Sequence, residues 1–151
     1  MIYLKDSKIQ VKSSYQVAKV FEDLLLLEVE IDREKEHFYV MHLNAKSQVK
    51  MVELVSLGSL TSAVVHPRET YRRAVLAGSA SIIVAHNHPS GEAEPSDEDA
   101  KTTKLLFEAG RILGIPLLDH IIFADGSFFS FQDNRIRKIE DGLTGQEKTS
   151  L

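Results

Sequence analysis

ASIIVAHNHPSGEAEPSDED, residues 80–99, is the stretch whose reading decides the fold. Its first six residues are apolar or small, rich in isoleucine and valine and free of charge, which is the pattern of a central strand covered on both faces. His86 and His88 stand at the exit of that strand. Pro89 and Gly91 then break the extended chain, and Ser96, preceded by Pro95, opens a helix expected to reach about residue 113, where Gly114 and Pro116 end it.

On the upstream side, Pro67 sits at a plausible first helical position and Gly78 closes a helix over residues 67–77. A flexible small-residue connection over residues 58–62 precedes it. Two β-rich runs, residues 38–43 and 49–55, flank the turn-like spacer Asn44, Ala45, Lys46 and Ser47 and suggest a hairpin. Ser13 and Ser14 precede apolar residues recurring at three- and four-residue steps, Val17, Ala18, Phe21, Leu24 and Leu25 among them, which predicts a capped amphipathic helix over residues 15–27. Residues 2–11 alternate loosely, as an edge strand does. On the downstream side, residues 117–124 and 127–131 are apolar strands around Asp125-Gly126, a dipeptide favoured in tight hairpins.

Strands and helices interleave, yet two strand pairs are joined by hairpins, so the expected fold is α/β: a single domain with a mixed β-sheet flanked by helices. Its expected extent is residues 1–141, with a mobile polar tail over residues 142–151.

Composition narrows the function. The 151 residues, 43% hydrophobic and 26% charged, suit one packed globule. With no cysteine, thiolate metal sites, disulfides and cysteine nucleophiles are excluded, so any metal must use His, Asp, Glu or water. No apolar run approaches the ~20 residues of a membrane helix. Lys5, Asp6 and Lys8 interrupt any signal-peptide pattern, and the expected compartment is the cytoplasm. A net charge of −4 gives no global attraction to nucleic acid, and the cluster Arg68, Arg72 and Arg73 reads as a solvated helix face.

The chemistry lies in His86, His88 and Asp99. Alternate strand residues share a face, so both histidines can point at one ion. Eleven residues of chain are ample to bring Asp99 back to them. Two imidazoles and one carboxylate leave a tetrahedral position open, the mark of a catalytic zinc site. Ser96 and Asp99 also form a capping-box signature, which alone accounts for both residues. Capping does not account for two histidines at a strand exit.

The run His86-Asn87-His88-Pro89-Ser90-Gly91, followed by Pro95-Ser96 and Asp99, resembles the JAMM metalloprotease motif as written in bacterial RadC-like proteins. Val65-His66-Pro67-Arg68-Glu69 and Leu117-Leu118-Asp119-His120-Ile121 match runs of that family in the same order, and the similarity covers residues 36–131. The resemblance implies a cytidine deaminase-like fold of the JAMM (MPN) kind, Zn2+ on His86, His88 and Asp99, and an upstream glutamate as general acid/base. That glutamate is best matched by Glu36. The residues alone leave Glu28, Glu30, Glu34 and Glu53 equally open.

Under this resemblance the chain is a zinc-dependent metallopeptidase-like hydrolase. It acts on a peptide or isopeptide bond of a peptide or protein substrate, with Glu36 moving the proton and Ser96 bonding the developing oxyanion. Asp119 and His120 are candidates for orienting a ligand. The short chain leaves no room for the helix-hairpin-helix region of longer RadC-like proteins, so DNA association follows by family analogy only. The rival from another class is a non-catalytic JAMM-like module that binds a protein or DNA complex in repair or recombination. A second rival puts iron on the same ligands. Zinc deaminase chemistry is excluded because its motif requires cysteines.

Overall fold

The computed structural model describes residues 1–58 and 65–139. The connection expected over residues 58–62 falls outside that range from residue 59 onward, as does the tail expected over residues 142–151. In chain order the elements are β1 (Ile2–Tyr3), α1 (Ser14–Leu26), α2 (Glu30–Arg33), β2 (Glu36–Leu43), β3 (Val49–Gly58), α3 (Pro67–Ala77), β4 (Ser81–Asn87), α4 (Asp97–Leu113), β5 (Leu117–Ala124), β6 (Ser127–Ser130) and β7 (Arg135–Lys138). The strands form one seven-stranded sheet in the order β1-β3-β2-β4-β5-β6-β7. Only β4 and β5 run parallel, joined across the sheet by α4, and the other neighbours are antiparallel. The fold is therefore the mixed α/β sheet with flanking helices that the pattern predicted, in keeping with the JAMM (MPN) kind that the resemblance implies.

Local chemistry sets the element boundaries. The Ser13 side chain accepts the Gln16 amide at 3.1 Å and starts α1. Asp125 and Gly126 both take positive φ, 43° and 76°, as the two central residues of a type I′ hairpin between β5 and β6 must. All seven residues of β4 are buried, as expected of its uncharged run.

Alternation along β4 separates two cores. Ile83 and Ala85 pack with Phe21, Leu24, Tyr39 and Phe123 on the α1 side. Ile82 and Val84 pack with Phe38, Val40, Tyr71 and Leu106 on the side of α3 and α4. The second face continues upward to His86, beside its antiparallel partner Phe38. Among the described residues no helix is long and apolar enough to cross a membrane.

The N-terminal strand differs from expectation: it is two residues long rather than ten. Leu4 and Asp6 adopt positive φ and turn the chain away, and pairing returns only as an isolated bridge between Gln10 and Gln48. Two short elements, α2 and β7, carry too few apolar residues for a period to show. β7 is defined by its pairing with β6 and by Arg137, which lies over the Phe128 ring and bonds Asp133 and Ser14.

The tightest helix contact is at Gly110, where the phenol of Tyr71 crosses α4 to bond the Leu106 carbonyl at 3.0 Å. A Cβ at Gly110 would meet that phenol oxygen and lie 2.5 Å from the Ile115 carbonyl. Gly110→Ala is expected to lower unfolding stability by about 1–3 kcal/mol, read as a reduced urea midpoint. An unchanged midpoint would show that α3 and α4 yield more freely than this packing implies.

Candidate metal centre

β4 supplies His86 on the face shared with α4, while Asn87 faces the α1 side. His88 lies one residue past the strand, yet its amide still bonds the Phe123 carbonyl at 3.0 Å, which keeps it in register with β5. The chain then folds tightly, with the Gly91 amide on the His88 carbonyl at 3.0 Å. Gly91 is required there: its φ is 93° and the Asp125 carboxylate occupies the space of a Cβ. From this turn the loop runs to Ser96, the N-cap of α4, and the first helical turn brings Asp99 over the two histidines. The site thus lies beyond the carboxyl ends of β4 and β5, where open α/β sheets commonly place ligands.

His86 Nε2 is 3.1 Å from Asp99 Oδ1, His88 Nε2 is 3.0 Å from Asp99 Oδ2, and the two ring nitrogens are 3.0 Å apart. These three side chains form a group able to hold a metal ion, with one donor atom from each within 4.8 Å of the others. The Nδ1 of His88 is 2.8 Å from the Glu92 carbonyl, which only accepts, so Nδ1 carries a hydrogen and Nε2 is the nitrogen that would be left to hold a metal. Among the described residues no lysine or arginine pairs with Asp99, so the cation this cluster calls for must be a shared proton or a metal. The donor set fits a metal.

Electrostatics agree with this crowding. Burial opposes ionisation of Asp99, but hydrogen bonds from His86 and His88 outweigh it and hold its carboxyl far below the usual range. Burial likewise opposes charging of His88, and the Asp99 contact overcomes it and raises its pKa. Glu36, the first residue of β2, is half-buried. Desolvation raises its pKa against the lowering pull of His86 and His88, and Asp99 adds to the rise. Its carboxylate therefore lies within electrostatic reach of all three.

Ser96 is placed by the capping box: its Oγ accepts the Asp99 amide at 3.1 Å, and its own amide donates to Asp99 Oδ2 at 2.9 Å. The cap read from the sequence thus falls on Asp99, the same residue whose carboxylate faces both histidines. His120 Nε2 lies 2.8 Å from His86 Nδ1. Asp119 turns elsewhere, to Ser130 Oγ at 2.6 Å and the Gln132 amide at 3.0 Å. His66 is an exposed helix entry, and His42 is buried against Ser79 at the far end of β2.

Two contributors escaped the sequence reading. Thr103, one turn after Asp99 on α4, bonds His120 Nδ1 at 2.6 Å, and its spacing of four from Asp99 was a usable signal. Asn87 is buried, and its carboxamide grips the segment that carries Glu36. It accepts the His37 amide at 2.6 Å and donates to the carbonyls of Lys35 and Arg33 at 3.0 and 3.3 Å. Nothing in the local pattern marks such a long-range bond.

Comparison with known proteins places this geometry in context. The family model of the RadC-like JAB domain matches residues 11–136. Among curated relatives, a UPF0758 protein of Methanosarcina acetivorans is 48% identical over 102 residues, covering 68% of this chain and 44% of the relative. A UPF0758 protein of Clostridium acetobutylicum is 52% identical over 99 residues, 66% of this chain and 43% of that one. A UPF0758 protein of Caldanaerobacter subterraneus is 47% identical over 114 residues, 74% and 49% respectively. The chain spans less than half the length of these relatives.

Asn87→Ala takes the Asn87 acceptor from the buried amide of His37 and removes one of the two side-chain contacts of the Lys35 carbonyl, the other being His37 Nδ1. The expected cost is about 1–3 kcal/mol, with faster hydrogen exchange at the His37 amide. Wild-type protection of that amide would show that Asn87 does not hold the Glu36 segment.

Proposed function

We propose that this chain, which belongs to the family of RadC-like JAB domains, is a zinc-dependent hydrolase that cleaves a peptide or isopeptide bond. The observation that carries the reading is the convergence of His86 Nε2, His88 Nε2 and the Asp99 carboxylate at the end of the parallel strand pair. Two imidazoles and one carboxylate suit zinc and leave room for a further ligand. Zinc held there would polarise a substrate carbonyl and make water acidic enough to react near neutral pH.

The rest falls to the chain's own residues. Glu36 has a carboxyl whose pKa is raised by burial, which suits it to accept a proton and return it to the leaving amine. Ser96 Oγ accepts the Asp99 amide, so its own hydroxyl hydrogen is free to meet the negative charge developing on the substrate oxygen. The substrate is a peptide or protein, and the proposed compartment is the cytoplasm. Phosphodiester cleavage commonly uses carboxylate-rich two-metal sites, whereas this centre is rich in imidazole, so any DNA association rests on family analogy.

Metal analysis of the purified protein should find one zinc per chain, lost in His88→Ala and Asp99→Asn. Equal zinc in all three would reject the site, and iron in its place would reject the zinc assignment. Glu36→Gln should retain zinc while peptide cleavage drops by about 10²–10⁴-fold. Undiminished cleavage would remove Glu36 from its role, and a zinc-loaded wild type with no cleavage of any peptide or isopeptide would favour the non-catalytic binding module.

A further inference from the structure

We infer that Thr103 and His120 are positioning residues for the metal: they hold a hydrogen on His86 Nδ1, which leaves the Nε2 lone pair to an ion bound between His86, His88 and Asp99. The inference rests on the metal reading above and assigns work to two residues outside the ligand set.

The direction of the chain is set at α4. Thr103 Oγ1 donates its hydrogen to the Asp99 carbonyl at 2.7 Å, the bond a helical threonine makes to the residue four back. A hydroxyl has one hydrogen, so toward His120 Nδ1, 2.6 Å away, it offers a lone pair. His120 Nδ1 must then carry the hydrogen. This ring is 1% exposed and, among the described residues, its nitrogens contact no carboxylate, so it stays neutral and its Nε2 is an acceptor. Two lone pairs do not face each other at 2.8 Å, so the hydrogen of that contact belongs to His86 Nδ1.

The reverse direction is chemically possible and would be harmful. If Thr103 donated to His120 Nδ1, His120 Nε2–H would donate to His86 Nδ1. The remaining hydrogen of His86 would then sit on Nε2, aimed into the space between Asp99 and His88 where a metal must bind. Packing also fixes the relay. The His120 ring stacks on Phe131 at 5.1 Å and meets Phe38 edge-on at 6.0 Å, and its pairing with Val84 places it on the His86 face of the sheet. A buried polar chain so directed does for His86 what the Glu92 carbonyl does for His88.

The test is zinc affinity of the full chain, measured by chelator competition, for wild type, Thr103→Val, Thr103→Ser and His120→Phe. Thr103→Val keeps the shape of the side chain and His120→Phe keeps the ring packing. Both should bind zinc about 10–100-fold more weakly, while Thr103→Ser, which keeps the hydroxyl, should bind as wild type does. Long-range imidazole 15N spectra of the zinc-loaded wild type should show hydrogen on Nδ1 of both His86 and His120. Wild-type affinity in both Thr103→Val and His120→Phe, or hydrogen on His120 Nε2, overturns the inference. A wild type that takes up no zinc overturns the metal reading itself, and this inference with it.

Discussion

A carboxylate withdrawn from water costs several kcal/mol unless other groups replace its hydration. Asp99 meets that requirement with two imidazoles on one side and the backbone amide of Ser96 on the other. The end of the sheet is organised around this charge. β4 must stay extended through Asn87 to deliver His86, the turn at Gly91 must be tight, and α4 must start at Ser96 for its first turn to reach back. Relaxing any one of these leaves a half-buried charge without its partners.

Much of this was legible in the sequence because it is written in short-range terms. The uncharged run before His86 marks a buried strand, and alternation brings the rings of His86 and His88 together. Ser96 and Asp99 mark the helix start that returns the carboxylate. Glu36 is different: Glu28, Glu30, Glu34 and Glu53 among other upstream glutamates share its residue type, and only a family resemblance preferred it. The structure places it at the start of β2, beside the β4 end that bears His86, because β2 pairs antiparallel with β4. What the sequence concealed depends on contacts across more than thirty positions, such as Asn87 to Arg33 and His86 to His120. The overlong N-terminal strand had the opposite cause: its loose alternation is real, but positive φ at Leu4 and Asp6 ends the pairing.

The two faces of β4 divide the work at its end. On the α4 side His86 enters the cluster and is backed by His120 and Thr103. On the α1 side Asn87 reaches to the backbone of residues 33–37 at the start of β2. The histidine thus joins the cluster while its neighbour anchors the strand that carries Glu36. Adjacent residues on one strand organise two parts of the same site because consecutive strand side chains point to opposite faces of the sheet.

Asp99 Oδ2 both receives the Ser96 amide and faces His88. One atom therefore serves helix initiation and the histidine cluster at once. A descendant lineage without a working centre would still favour a carboxylate here, since it satisfies the backbone amide of the N-cap residue of α4. In comparing such domains across genomes, retention of this aspartate is weak testimony to a working centre. The pair of histidines, which no helix cap needs, is the diagnostic trace.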